Sequence, residues 1–353
     1  MMLKSLWLRV SFKKIDIKDF ICETDFSGNY EQEPVITWIG HATFLIQIGG
    51  VNILTDPVLG DAGILYKIFY KRLFKPGISA NKLPNIDFVL ISHNHMDHMD
   101  AESLLSLKNH KNIHFLVPKG NKRWFDKRGF AKTSEYCWWD KEVFSYDSFD
   151  DFGNIDKTLS NSQINFSFLP ASHWSQRGVF DKNKTLWGSW LIEYKNSEIN
   201  GFKIFFAGDT AYDQHFKEIS QEYPGINIAL MPIGPCEPRK FIAHHHVDAK
   251  ESLIAFSDLN AEHFVPMHWG TFPLGAENFD LPLHRLVNGW SDFYESGLLD
   301  GKSLHLPQIG QKVKFSYQKS QVFSYQKSQV KEEVSLEKLT GFSPDRAFDQ
   351  DSL

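Results

Sequence analysis

Three imidazoles and a carboxylate fall within the six residues His93-Asn94-His95-Met96-Asp97-His98. Nitrogen and oxygen donors at this density suit a divalent metal, with zinc favoured and iron or manganese compatible. A lone histidine is more often a hydrogen-bonded or solvated residue, but four potential ligands on one loop shift the expectation to metal. The apolar run Phe88-Val89-Leu90-Ile91-Ser92 reads as a buried strand that delivers this loop at its C-terminal end. Side chains of such a loop point in several directions, so His93 and His95 can serve one cation while Asp97 and His98 serve a second.

A two-metal centre needs further ligands, among them a carboxylate shared by ions about 3.5–4 Å apart. Asp209 follows Ile204-Phe205-Phe206-Ala207-Gly208 and is the candidate bridge. His173, after Phe168-Leu169-Pro170, and His268, after Phe264-Val265-Pro266-Met267, occupy the same kind of position beyond an apolar run. Asp56, at the end of Ile53-Leu54-Thr55, is a candidate acceptor that orients a ligand imidazole, with turn initiation as the plain alternative. His41, within Gly40-His41-Ala42-Thr43, lies either beside the metals or in a local turn.

These residues depend on a series of short strands. Val35–Ile39, Thr43–Ile48 and Val51–Thr55 alternate and turn like paired strands, with Gly49-Gly50 between the last two. Further strands are expected at Ile113–Val117, Ile164–Leu169, Ser189–Tyr194, Lys203–Phe206, Ile228–Pro232 and His263–Pro266. Helices are expected at Asp100–Leu107, Lys217–Glu222 and Ala249–Ser257. Hairpins mixed with β-then-α units predict an α/β fold of two facing sheets with helices outside, an αββα sandwich whose strand ends gather into one rim.

The 353 residues suffice for one large domain, and 42% hydrophobic with 23% charged residues is ordinary globular composition. A net charge of −5 argues against a surface built for nucleic acid. Cys22, Cys137 and Cys236 are too few and too scattered for a disulfide framework. With no apolar run of about 18 residues and no cleavable leader, a cytoplasmic protein is expected, with contact at the inner membrane face an open option. The octapeptide Phe315–Val322 is repeated unchanged as Phe323–Val330. This divides the chain into an arm over 1–34, a catalytic domain over 35–310 and a polar tail over 311–353.

His93–His98 resembles the His-x-His-x-Asp-His motif of the metallo-β-lactamase superfamily. Thr37-Trp38-Ile39-Gly40-His41-Ala42-Thr43, Leu54-Thr55-Asp56-Pro57, Ser172-His173-Trp174, Leu186-Trp187-Gly188-Ser189-Trp190, Phe206-Ala207-Gly208-Asp209-Thr210, His246-Val247-Asp248 and Met267-His268-Trp269-Gly270-Thr271-Phe272 narrow the resemblance. Together they are similar to the branch of N-acylphosphatidylethanolamine-hydrolysing phospholipase D and its bacterial relatives. The resemblance implies His93, His95 and His173 on one zinc, Asp97, His98 and His268 on the other, and Asp209 between them. Asp97 and Asp209 are then the catalytic carboxylates, and His246 lines the substrate site.

The implied chemistry is phosphodiester cleavage by hydroxide generated at the metal pair, giving phosphatidate and an alcohol. Phe69, Tyr70, Trp174, Trp187, Trp190 and Phe272 are candidates for an acyl groove, and Lys71 and Arg72 for lipid phosphate, although core packing or plain solvation is the better expectation for each singly. Two other readings stand beside this one: a lactonase or phosphodiesterase of a small soluble metabolite, and a metal-stabilised binding protein without catalysis. Homo-oligomerisation is left open.

Overall fold

The structure, a computed structural model, describes residues 33–63, 68–110, 112–146 and 162–317. Nearly all of the expected N-terminal arm, the residues Tyr66 and Lys67, and the chain from 318 onward, with the second octapeptide copy, lie outside the described residues.

Two seven-stranded sheets form the centre. In the first, β1 (Val35–Gly40), β2 (Thr43–Ile48) and β3 (Val51–Thr55) make an antiparallel meander, and β4 (Phe88–Leu90), β5 (His114–Pro118) and β6 (Thr133–Tyr136) continue in parallel. In the second, β7 (Lys141–Tyr146), β8 (Ser162–Leu169), β9 (Ser189–Lys195) and β10 (Phe202–Phe206) are antiparallel, followed in parallel by β11 (Ile228–Pro232), β12 (His263–Met267) and β13 (Ser303–Leu304). The last strand, β14 (Lys312–Lys314), returns to pair antiparallel with β1.

The two-residue period of β2 shows how the layers arise. Phe44, Ile46 and Ile48 enter the central core with Phe166, Phe168, Trp190 and Ile192 of the second sheet. Leu45 faces the other way and joins Leu54, Val89 and Phe115 beneath Leu104 and Phe125, which belong to α1 (Ala101–Ser106) and α2 (Lys122–Asp126) and their flanks. Aromatic contacts knit the sheets together, with Phe88 and Phe166 centroids 4.8 Å apart and Tyr136 and Trp190 5.1 Å apart. Behind the second sheet, α5 (Ala249–Leu259) packs on β11, with α3 (His215–Glu222) and α6 (Leu281–Glu295) against α5. The result is the αββα sandwich that the strand pattern predicts.

The elements absent from the sequence expectation share a cause. β6 and β7 are polar stretches, Thr-Ser-Glu-Tyr and Lys-Glu-Val-Phe-Ser-Tyr, whose strand character comes from pairing rather than alternation. α6 carries Asn288, Gly289, Trp290 and Ser291 in its interior, so its propensity is weak and tertiary packing of Leu283 and Leu286 sustains it. α4 (Arg239–Ile242) is a single turn.

The boundary drawn at residue 310 requires correction. β14 begins at Lys312, Phe315 is 4% exposed within the central core, and Tyr317 packs on Tyr194 and Phe202. The duplication draws attention to repetition and hides that Phe315-Ser316-Tyr317 directly follows an edge strand and packs on the core. Phe315→Ala should lower unfolding stability by about 3 kcal/mol, measured by urea denaturation. A loss under about 1 kcal/mol would mean that this segment does not belong to the cooperative core.

Candidate metal centre

All the candidate residues except His246, which follows the short helix α4, emerge where strands end. His41 occupies the β1–β2 turn, Asp56 ends β3, the His93–His98 loop follows β4, His173 follows β8, Asp209 follows β10 and His268 follows β12. His41, Asp56 and His268 have positive φ (55°, 33° and 59°), a region side chains adopt at a cost of about 1–3 kcal/mol each. Gly208, at φ +59°, is required twice over, since a Cβ there would sit 2.6 Å from the Ser92 Cβ. Cross-links fix these ends: the Trp190 indole donates to Ile91 O at 2.8 Å, Trp38 to His41 O at 2.9 Å, and His268 N to His41 O at 3.1 Å.

Two groups of donors result. His93 Nε2 lies 2.8 Å from His95 Nδ1, and His173 Nε2 lies 3.3 Å from the same Nδ1. Beside them, His98 Nε2 is 3.2 Å from His268 Nε2, 3.7 Å from Asp97 Oδ2, and Asp97 Oδ2 is 3.8 Å from His268 Nε2. Asp209 belongs to both. Its Oδ2 is 3.9 Å from His93 Nε2, 3.8 Å from His173 Nε2 and 3.2 Å from His98 Nε2, while Oδ1 is 3.0 Å from His268 Nε2. His41 Nε2 joins the second group at 3.1 Å from Asp97 Oδ2, which settles it beside the cluster and not merely in a turn. His246 Nδ1 stands 3.7 Å from Asp209 Oδ2.

Hydrogen bonds on the far side of each ring assign the tautomers. His173 Nδ1 donates to His245 O at 2.8 Å and His268 Nδ1 to Gly234 O at 2.9 Å. Ser92 Oγ donates to Asp56 Oδ2 at 2.5 Å, so it accepts from His93 Nδ1 at 2.9 Å. Asp56 Oδ2 also accepts from His98 Nδ1 at 2.7 Å. The Nε2 atoms of His93, His98, His173 and His268 therefore point inward, towards each other and two carboxylates. Lone pairs facing at about 3.2 Å repel unless a cation lies between them, and tetrahedral zinc with bonds of about 2.0–2.1 Å sets its donors about 3.4 Å apart. The donor set fits a pair of divalent cations.

Charge gives the same answer. Burial holds the imidazoles neutral: His93 and His173 are well below their ordinary pKa, His95 and His246 near 4, and His41 near 3 with help from His268. Burial opposes ionisation of Asp97, but His98 and His41 outweigh it and depress the pKa. Asp209 is likewise depressed, with His268, His98 and His246 overcoming burial. Burial also resists charge on His98, yet Asp209 and Asp97 push its pKa well above normal. Asp56 is raised by burial. The protein's own groups leave this centre demanding positive charge.

Three supports were not foreseen in the sequence. Ser92 binds Asp56 through both N (2.7 Å) and Oγ, and its carbonyl accepts from Gly188 N at 3.0 Å. Asp100 caps α1 by accepting from Ser103 N at 2.9 Å, so the helix starts immediately after the ligand loop. Arg177 Nη1 donates to Asn94 O (3.1 Å) and Met99 O (2.6 Å), bracketing His95, Asp97 and His98. Only the geometry reveals an arginine so far along the chain in this role.

The groove candidates divide. Trp190 is wholly buried and Phe272 nearly so, Trp187 donates to Ala171 O at 3.0 Å, and Trp174 lies half-buried with its ring 4.4 Å from that of His95. Phe69 and Tyr70 are 39% and 38% exposed. Arg72 departs from expectation: it is turned inward, donating to Phe74 O, Val58 O and Gly60 O at 2.8, 3.0 and 2.8 Å, and is not presented to a lipid phosphate. Among the described residues no helix is long and apolar enough to cross a membrane.

Residues 51–269 match the family described as "Beta-lactamase superfamily domain". The chain is 32% identical over 253 residues to "N-acyl-phosphatidylethanolamine-hydrolyzing phospholipase D 1" of Caenorhabditis elegans, covering 69% of this chain and 66% of that one. It is 32% identical over 261 residues to "N-acyl-phosphatidylethanolamine-hydrolyzing phospholipase D, mitochondrial" of Saccharomyces cerevisiae, covering 73% and 52%. The match thus spans between about half and just under two thirds of these relatives. Among solved structures, Igni18, described as a novel metallo hydrolase from Ignicoccus hospitalis, superposes with a TM-score of 0.53 at 21% identity, over 81% of this chain and 99% of that one, a likeness of fold. With the paired sheets, the converging strand ends and the matched residues together, the chain belongs to the beta-lactamase superfamily and has its metallo-β-lactamase fold.

Proposed function

We propose that this chain is a binuclear metal-dependent hydrolase, and that its substrates are phosphodiesters of the N-acylphosphatidylethanolamine type. The observation that carries the hydrolase reading is Asp209 Oδ2, within 4 Å of imidazole nitrogens from both donor groups. The substrate reading draws its support from the two phospholipase D relatives at 32% identity.

In this reading His93, His95 and His173 hold one ion, Asp97, His98 and His268 hold the other, and Asp209 serves both. Such a pair supplies Lewis acidity towards a phosphoryl oxygen and lowers the pKa of water entering the site. The remaining work falls to the protein. Asp97 and Asp209 stay ionised, and His93 and His173 present uncharged nitrogens at neutral pH. Asp56 orients the His98 ring through Nδ1, and Ser92 orients His93. His246, neutral and with a buried Nδ1 that has no hydrogen-bond partner among the described residues, faces the shared carboxylate at 3.7 Å. Trp174 and His245, with ring centroids 5.7 Å apart, both lie beside the His173 ring.

Asp209→Asn should reduce bound metal from two equivalents per chain to one or fewer, by elemental analysis, and slow diester turnover by at least about a thousandfold. Unchanged stoichiometry would contradict the shared-ligand assignment. Asp56→Asn keeps the ring contact but weakens it, and should cost about 10–100-fold in metal affinity by competition with a chromophoric chelator. Zinc-loaded protein should release phosphatidate from N-acylphosphatidylethanolamine vesicles. Turnover of a soluble sugar-phosphate lactone alone would replace the lipid reading with the soluble-metabolite one.

A further inference from the structure

The loop between His173 and Leu186 starts at a proposed metal ligand and carries, at its far end, Val179 at 80% and Phe180 at 87% exposure, the most exposed large apolar side chains among the described residues. Solvent exposure of two adjacent large apolar groups is unfavourable, and a floppy loop would fold them away. This one is held open. Asp181 Oδ1 accepts from Arg177 N at 3.1 Å and Gly178 N at 2.7 Å, Gln176 Nε2 donates to Gly178 O at 2.8 Å, Asn183 N to Ser175 O at 2.7 Å, and Ser175 Oγ to Thr185 O at 2.6 Å. These bonds close the turn on both sides of the exposed Val-Phe pair.

The same loop is basic at its rim. Lys182 and Lys184 are exposed, and the Lys182 ammonium sits 5.4 Å from the Trp174 ring centroid. The loop's acid, Asp181, is occupied by the two backbone amides. Just before His245, whose ring lies 5.7 Å from that of Trp174, α4 adds Phe241 at 59% exposure beside exposed Lys240. Apolar tips ringed by lysines on a chain of net charge −5 are a local inversion of the overall balance. Apolar groups that enter acyl chains, with ammonium groups that meet anionic headgroups, form the chemistry of interfacial binding.

We infer that the 174–185 loop, with α4 beside it, docks this protein on an anionic lipid surface, inserting Val179 and Phe180 and setting the metal centre's entrance against the bilayer. The inference rests on the lipid-substrate reading for its purpose, not for its geometry. Arg177 makes the docking loop and the ligand loop one rigid unit, because it emerges from the turn and holds Asn94 O and Met99 O.

The test uses the zinc-loaded full chain and co-sedimentation with vesicles of phosphatidylcholine, with or without phosphatidylglycerol. The parent should pellet with the anionic vesicles, and Val179→Ser with Phe180→Ser should weaken this about 100-fold, about tenfold per side chain. Lys182→Gln with Lys184→Gln should weaken binding severalfold and flatten its salt dependence. Both double variants should keep the parent's melting temperature, zinc content and turnover of the soluble diester bis(p-nitrophenyl) phosphate. A parent that stays in the supernatant, variants that pellet like it, or a serine pair that changes only self-association of the chain would overturn docking. Loop-dependent pelleting without cleavage of N-acylphosphatidylethanolamine would leave docking standing and remove the substrate reading alone.

Discussion

Asp97 and Asp209 are ionised carboxylates placed 4% and 3% exposed inside the protein, and the need to neutralise them governs what surrounds them. Removing a carboxylate from water costs several kcal/mol unless a partner of opposite charge stands close. A lysine or arginine would neutralise them permanently. The partners here are imidazoles, of which burial keeps His41, His93 and His173 neutral at ordinary pH, while the two carboxylates push His98 the other way. Such a centre is incomplete by its own electrostatics, and a cation is the simplest entity that satisfies both the carboxylates and the facing nitrogens.

Holding so many repelling donors together requires a stiff frame. The strained backbone at His41, Asp56 and His268 has that role: each residue sits at the end of a strand, and buried hydrogen bonds from Trp38, His268 and Asp56 to neighbouring carbonyls stop it relaxing. Ser92 concentrates the load, since it meets Asp56, His93, Gly188 and the close approach of Gly208 together. Two sheets are needed because the donors come from both, with β1, β3 and β4 on one side and β8, β10 and β12 on the other.

Much of this could be read from the sequence because the chemistry-bearing residues stand next to their scaffolds. A strand that must be buried on both faces is a run of Phe, Val, Leu and Ile, and the histidine or aspartate just past it stands out, as at His93, His173, Asp209 and His268. Asp56 was visible for the same reason. What escaped has no local mark. Arg177 acts through carbonyls far away in the chain, β6 and β7 are strands only because a partner is adjacent, and β14 looks like a polar tail until β1 is placed beside it. Arg72 escaped for the opposite reason: a basic residue beside aromatics suggests a headgroup contact, and only its three carbonyl acceptors reveal a structural role.

That correction bears on how substrates are distinguished. With Arg72 spent on carbonyls, recognition of an anionic group near the centre falls to the centre itself. Asp97 and Asp209 are the carboxylates held ionised in this poorly solvated interior, and two divalent cations held there would bring more positive charge than these two answer. A phosphodiester, the reacting group proposed above, brings one negative charge to that excess, whereas the reacting ester of a lactone brings none. On the proposed phosphodiester reading, electrostatics favours the charged reacting group, and apolar side chains are left to select what that group is attached to.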